Sequence, residues 1–455
     1  MYNSFICSMF AAINDYRMKR KVLSQLKEWK NRDAQHRKPL ILEGARQTGK
    51  TWLARELGRV EFQNFIEINF ETDDDLQDLF ELNFDIERIL LTIQQAKGVP
   101  VVAGKTLLFF DEIQYARRGL LSLKYFYDQI PELHVLAAGS LLGVIDHKND
   151  SFPVGKVEFL SVYPLSFEEF LTADGKEGMS QMLQTGDWQS ITVFHERLTG
   201  WLREYYYIGG MPEAVKTYID TKDYSQVRKI HHQLLKAYKD DFSKHPPKEI
   251  VKRMLMVWNS VPSQLAKENK KYIYTALKQS ARARDFETSI QWLCDAGMIY
   301  KVTRCFGGEI PLAGFEDPEA FKLYLLDIGL LGAMAGLDVR TMLDGNDFFM
   351  QYKGALTEQF VLQELQLLDD KQIYYWSPEN SVAEVDFLIQ AMGMVIPIEV
   401  KAERNLRAKS LSVFIQRYNT QRVLRLSMSK YEQGAKITDL PLYAISLIPK
   451  ILTTM

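Results

Sequence analysis

Gly44-Ala45-Arg46-Gln47-Thr48-Gly49-Lys50-Thr51 decides how the first half of this chain is read, because it fills every fixed position of the pattern G-x-x-x-x-G-K-[ST]. A loop that bends back over itself, with glycine where a side chain would obstruct, aims successive backbone N–H groups at phosphate oxygens. A helix beginning at its end adds a positive pole. The stretch is therefore expected to cradle a nucleoside triphosphate. Lys50 would neutralise the β- and γ-phosphates, and the Thr51 hydroxyl would complete the shell of a Mg2+ ion that keeps most of its waters. The flanks agree: Pro39 to Glu43 is a short apolar run of strand type, and Thr51 to Leu57 is compatible with a helix.

Downstream, Asn64 to Phe70 reads as a second strand, the acidic Thr72 to Asp75 as a helix start, and Phe84 to Lys97 as an amphipathic helix. Thr106-Leu-Leu-Phe-Phe-Asp-Glu112 places two carboxylates after an apolar run, as a buried central strand does when it delivers acids to the carboxyl edge of a parallel sheet. Asp111 is expected to hold Mg2+ through its water shell, and Glu112 to act as the general base on the attacking water. His134 to Ser140 has the character of a further parallel strand. Ser140 at its end would sense the γ-phosphate or position water, with a loop-capping serine as the alternative. Alternating strands and helices over residues 38 to 165 predict a three-layer α/β domain with right-handed crossovers.

The chain has 455 residues, enough for two or three domains each with its own core. A net charge of −2 gives no global attraction to nucleic acid, so any such contact needs a local patch. Cys7, Cys294 and Cys305 are too few and too badly spaced for a disulfide framework or a zinc site, which fits a reducing cytoplasm. No run approaches the roughly 18 to 20 apolar residues that span a bilayer, and Ser4 to Ile13 lacks a basic leader, so neither membrane insertion nor secretion is expected. Met18-Lys-Arg-Lys is a natural start for the first helix, and residues 1–17 read as an extension.

The paired motifs Gly44 to Thr51 and Leu107 to Gln114 carry a resemblance, together with Ala138-Gly-Ser-Leu-Leu142, Tyr163-Pro-Leu-Ser-Phe-Glu-Glu-Phe170 and Gly209-Gly-Met-Pro-Glu213. They resemble the prokaryotic AAA-type ATPases of the archaeal-ATPase-like group, from Met18 onward. The resemblance implies ATP as ligand, Mg2+-dependent hydrolysis, and a second region of uncharacterised function. Members of that group often carry Gly-Arg shortly before the Pro-Leu-Ser-Phe segment, where this chain has Gly155-Lys156. An ammonium lacks the planar fork of a guanidinium, so no arginine finger is assigned there.

After Glu213 the sequence is helical and more basic. Ser225 to Lys244 has one apolar face, and His245-Pro-Pro247 ends it. Val261 to Ala266, Tyr272 to Ser280 and Asp285 to Ala296 follow as helices, with Gly297 as a stop and Met298 to Thr303 as a strand. Three helices and a strand in this order outline a winged helix, a shape used for DNA and for protein docking. Lys270, Lys271, Lys278, Arg282 and Arg284 supply a basic cluster, with a solvated face as the plainer reading.

Near the carboxyl end, Gly354 to Leu368 reads as a helix bearing Glu358. Val382 to Gln390 and Met394 to Lys401 read as two strands across a glycine turn. Asp386, Glu399 and Lys401 match the nuclease pattern D...[DE]-x-K. Period-2 alternation puts Glu399 and Lys401 on one face while the hairpin brings Asp386 alongside. Asp386 and Glu399, with Glu358 as a further ligand, would hold a second Mg2+ or Mn2+, and Lys401 would stabilise a phosphate or attacking water. A structural ion-pair cluster, or a nuclease scaffold kept for nucleic-acid binding, is the alternative. The family resemblance also points here to a restriction-endonuclease-like core. Arg404, Arg407 and Lys409 read as phosphate contacts or a solvated face.

The expected organisation is an α/β chain: an extension over 1–17, an AAA-type P-loop domain with a small helical lid over 18–220, a helical and winged-helix region over 221–310, and a nuclease-like α/β domain over 311–455. Three functions remain open. The first is an ATPase coupled to a nuclease-like or nucleic-acid-binding domain, with DNA favoured over RNA. The second is a nucleotide-dependent switch docking a protein partner, with no nuclease activity. A ring-forming homo-oligomeric motor comes last.

Overall fold

The computed structural model describes residues 18–139, 153–243, 246–267, 270–339, 350–368, 372–378, 383–402 and 409–454. The expectations for residues 1–17, Ser140, Arg404 and Arg407 fall outside them. Contacts divide the chain into two compact units, Lys19–Pro164 with Asp295–Gly297, and Leu165–Cys294 with Met298–Met455.

In the first unit the described residues form five parallel strands: β1 (Leu40–Glu43), β2 (Asn64–Asn69), β3 (Thr106–Asp111), β4 (His134–Ala138) and β5 (Glu158–Ser161), in the order β2-β3-β4-β1-β5. Alternation along each strand feeds two cores. Ile41, Ile66, Ile68, Leu108, Phe110 and Val135 pack with the Ile86–Lys97 and Gly119–Gln129 helices, while Leu40, Leu42, Leu107, Phe109 and Leu136 pack with Leu53 and Leu57 of the Lys50–Glu61 helix. Burial on both faces explains why β3 and β4 read as continuous apolar runs. The helix expected from Thr72 shrinks to a single 3-10 turn at Asp74–Leu76. Asp73 is drawn away from a capping role, its carboxylate accepting from the Asn69 N–H and pairing with Lys97.

In the second unit the described residues form a mixed sheet of eight strands. These are β6 (Ile299–Cys305), β7 (Glu316–Leu325), β8 (Ile373–Trp376), β9 (Val385–Ala391), β10 (Met394–Val400), β11 (Val423–Ser427), β12 (Glu432–Gln433) and β13 (Ile437–Pro441), in the order β12-β13-β11-β10-β9-β8-β6-β7. β8, β9 and β10 are antiparallel neighbours, and β11 joins β10 in parallel after the crossover helix Lys409–Tyr418. The expected β9–β10 hairpin turns at Met392-Gly393, both at positive φ, as a tight two-residue connection requires.

Three expectations change here. Tyr272 to Ser280 is not a helix: only Tyr274–Ala276 forms a 3-10 turn, and the Tyr272 N–H donates to the Phe321 carbonyl on β7 (2.7 Å). The strand read as the end of a winged helix, β6, is hydrogen-bonded to both β7 and β8. A boundary at residue 310 therefore falls inside one sheet. The helices over Phe167–Thr221, expected as a lid on the first domain, group with the second unit.

Candidate nucleotide-binding site and acid-lysine centre

The phosphate loop leaves the carboxyl end of β1. Gly44 sits at φ +125°, where an added Cβ would collide with the Val162 carbonyl, and Gly49 at φ +98°. Both positions require glycine. The buried Arg20 ties the loop down, donating to the Thr48 carbonyl (3.0 Å) and the Tyr163 carbonyl (2.6 Å). The Thr48 hydroxyl closes the turn on the Ala45 carbonyl (2.9 Å). Lys50 opens the following helix, and its Nζ donates to the carbonyls of Gly44 and Ala45, each at 2.8 Å. Burial lowers the Lys50 ammonium to a pKa of about 8, while Glu112 and Asp111 pull it back up.

One helical position on, the Thr51 hydroxyl donates to Asp111 Oδ2 at 2.9 Å, joining the two motifs through side chains. Burial raises Asp111 to about 6; the Thr51 hydrogen bond opposes the rise, and the negative charges of Glu112 and Glu67 add to it. A half-buried hydroxyl and a carboxylate whose charge is under-compensated are a fitting donor set for a hydrated Mg2+. Glu112 follows at φ +49°, its N–H donating to Asp111 Oδ1 (3.2 Å), and the Gln114 amide donates to its carboxylate. The structure thus gathers Gly44 to Thr51, Asp111 and Glu112 at one sheet edge, with β4 between the strands that deliver them. Lys156 pairs with Asp128 (2.7 Å) and lies over the Tyr127 ring. Sequence reading missed Arg20 and Gln114, although both lie inside segments it quoted.

The second centre lies in the mixed sheet and differs from expectation. Glu399 and Lys401 do share a face, with Nζ to Oε1 at 2.6 Å, and Asp386 Oδ2 accepts the Val400 N–H at 2.7 Å. Glu358, on the Met350–Leu365 helix, is bonded by Lys270 and accepts from the Tyr324 hydroxyl at 3.2 Å. Lys270, expected on a basic surface cluster, is turned inward. Lys322 on β7, fully buried, pairs with Glu384 (2.6 Å), comes within 3.8 Å of Glu358 Oε2 and lies over the Tyr375 ring. Burial, joined by repulsion from Glu358 and Glu399, pushes Asp386 well above the usual carboxylate range. Burial also raises Glu399, against the pull of Lys401.

Among the described residues, no group of three or more His, Cys, Asp or Glu converges to hold a metal ion. Glu358, Asp386 and Glu399 each carry a hydrogen-bond donor of the chain, while the buried Glu399 Oε2 has no hydrogen-bond partner. Lys322 was unanticipated, and its signal is a lone lysine inside the apolar run Ala320-Phe-Lys-Leu-Tyr-Leu-Leu326.

Two further quoted stretches, Leu165 to Phe170 and Gly209 to Glu213, take part in internal ties of the second unit. Ser166 and Glu169 form a capping box on the Phe167–Ala173 helix, whose first N–H, that of Phe167, donates to Glu364 (2.8 Å). Leu165 N–H donates to the Gly210 carbonyl (2.7 Å), and Gly210 N–H to the buried Asp327 (2.6 Å). Asp327 also caps the Ile328–Met334 helix through the Leu330 N–H (3.0 Å).

Residues 36–171 match the family model described as AAA domain; 199–341 and 353–445 match two models described as Domain of unknown function (DUF8612 and DUF4143). Two uncharacterized proteins, from Mycobacterium bovis and Mycobacterium tuberculosis, are each 32% identical over 110 residues, 24% of this chain and 23% of theirs. The match thus spans under a quarter of the length of these relatives. Among solved structures, the Walker-type ATPase of Pyrococcus abyssi aligns at 16% identity and a TM-score of 0.44, covering 70% of this chain and 96% of that one. PCH-2 of C. elegans aligns at 14% identity and a TM-score of 0.24, covering 38% of this chain and 48% of that one. The AAA-domain match over residues 36–171 coincides with the stretch that holds the phosphate loop and the acidic strand end. No described helix is long and apolar enough to cross a membrane.

Proposed function

We propose that this protein is a Mg2+-dependent ATPase of the archaeal-ATPase-like group whose nucleotide state governs its second unit. The observation that carries the reading is the Thr51–Asp111 hydrogen bond of 2.9 Å, which puts the phosphate loop and the acidic strand end at one place. The loop N–H groups and the positive end of the Lys50–Glu61 helix would take the phosphates. Lys50 would exchange its two loop carbonyls for phosphate oxygens, and Glu112 would draw a proton from the attacking water. A bound Mg2+ would neutralise phosphate charge, with Thr51 and Asp111 holding its water shell. Phosphate release by the purified protein, compared with Glu112→Gln and Lys50→Ala, tests the reading. Turnover unchanged in Glu112→Gln sinks the base assignment.

For the second unit we infer a restriction-endonuclease-like core used to bind nucleic acid, DNA before RNA. The order helix 350–365, β8, β9, β10, helix 409–418, β11, with β10 and β11 parallel, supports that core. Exposed Lys271, Lys278, Arg282 and Arg284 are the cationic side chains offered to phosphates. A second reading, a cytoplasmic switch docking a protein, draws support from the acid-lysine centre, whose acids already have partners. Binding and cleavage assays on a panel of DNA and RNA, with and without ATP, separate the two. Neither binding nor cutting across the panel moves the protein-docking reading ahead.

A further inference from the structure

We infer that the acid-lysine centre of the second unit is occupied by its own lysines, with the Lys322 ammonium as a built-in cation where a two-carboxylate site would otherwise recruit a divalent metal. The inference rests on the nuclease-like reading of the β9–β10 hairpin and is independent of ATP turnover.

Four carboxylates, Glu358, Glu384, Asp386 and Glu399, face three ammonium groups, Lys270, Lys322 and Lys401. Glu358 is held from three sides, by Lys270, by the Tyr324 hydroxyl at 3.2 Å and by Lys322 at 3.8 Å. Lys322 sits on β7, two residues from Tyr324, so both side chains leave the same strand face, and its lack of solvent exposure leaves no route for the ammonium to swing into water. A lysine held this way must keep acidic partners, because an unpaired buried ammonium is costly. Glu384 and Glu358 are those partners, so Glu358 is committed to charge pairing. A divalent ion beside Asp386 would meet Lys322 and Lys401 in a low-dielectric setting and would have to displace ammonium groups that are tethered to the fold.

The consequence is simple: three ammoniums tethered to the fold offset three of the four carboxylates at any Mg2+ concentration. The second unit would then present the same surface with or without free metal. Any dependence of nucleic-acid or protein binding on Mg2+ would arise at the phosphate loop alone.

The test uses the full chain without nucleotide, with Mn2+ as the probe, in an Asp111→Asn background that removes the carboxylate at the phosphate loop. Free Mn2+ is followed by electron paramagnetic resonance and the melting temperature is read in parallel. The expected result is no saturable Mn2+ site below millimolar concentration and a melting temperature indifferent to Mn2+ or chelator. One Mn2+ per chain bound in the micromolar range, and lost in Asp386→Asn, overturns the inference. Lys322→Met, close in length and apolar, removes the cation between Glu358 and Glu384 and should gain Mn2+ affinity by at least about tenfold, with a Mn2+-dependent rise in melting temperature. A folded Lys322→Met protein that binds Mn2+ no better than its parent also overturns it. If that variant does not fold, the parent titration and its Asp386→Asn control decide alone.

Discussion

The phosphate loop and the acid-lysine centre are made from the same residue types, lysine and carboxylate at strand ends, and they handle charge in opposite ways. At the loop, the Lys50 ammonium donates to the carbonyls of Gly44 and Ala45, and Asp111 accepts from a threonine hydroxyl. In the mixed sheet, Lys270, Lys322 and Lys401 are each within ion-pair distance of a carboxylate. The first site is left under-compensated and suits a charged ligand; in the second most of the carboxylate charge is met by ammoniums of the chain, with the buried Glu399 Oε2 left without a hydrogen-bond partner. Residue type alone does not tell a binding site from a closed network. Where each cation's partners come from does.

The largest effect expected is at the loop. Lys50→Ala should cut ATP turnover by about a thousandfold or more and weaken ATP binding, and Glu112→Gln should lose turnover on the same scale while keeping ATP bound. Phosphate release together with fluorescent-nucleotide binding measures both. Retained affinity in Lys50→Ala would mean the ammonium stays with the Gly44 and Ala45 carbonyls, and the loop would be as closed as the other centre.

Next in size is a change of stability in the second unit. Glu358→Gln leaves the fully buried Lys322 with Glu384 and takes the charge partner from Lys270. Removing one member of a buried ion network typically costs about 3 to 5 kcal/mol. Denaturant unfolding should show that loss without any change in ATP binding. A loss below about 1 kcal/mol, the range of an exposed pair, would show that water already reaches the network.

How much of this was legible in the sequence follows from the same contrast. The phosphate loop depends on local chemistry, glycines at positive φ beside a strand and a helix, and it was read residue by residue. β3 and β4, buried on both faces, announced themselves as apolar runs, and the β9–β10 hairpin by its Met-Gly turn between two such runs. The acid-lysine centre depends on partners far apart in sequence: Glu358 meets Lys270 and Tyr324, and Lys322 meets Glu384. The motif D...[DE]-x-K gave three of its members and was silent on the lysines that complete it. Tyr272 to Ser280 failed for a similar reason. Its local pattern is helical, but a backbone hydrogen bond to β7 and the stacking of Tyr272 on Phe321 hold it otherwise. The helix at Lys248–Leu265 was recognised only in its last turn, since Pro246-Pro247 was read as an ending when Pro247 stands immediately before a new first turn.

The smallest effect expected is the most pointed, because its sign separates the two regions. Asp111 carries a pKa of about 6 in the folded protein against an ordinary value of 3.8. A folded chain that binds a proton more tightly than the unfolded one loses stability as pH rises between those values, and the penalty is complete above the higher one. For Asp111 it amounts to roughly 3 kcal/mol at neutral pH without nucleotide. Asparagine keeps an oxygen for the Thr51 hydroxyl and has no charge to desolvate. Asp111→Asn should therefore raise the melting temperature of the first unit at pH 7.5 by a few degrees, and leave it nearly unchanged below about pH 3, where the native carboxyl is protonated in both states. MgATP should then stabilise the variant far less than the parent. Calorimetry at the two pH values, with and without MgATP, reads all three. If Asp111→Asn instead melts lower at pH 7.5, the carboxylate is already compensated by the chain, as Glu358 is, and the loop would be a closed network like the other centre.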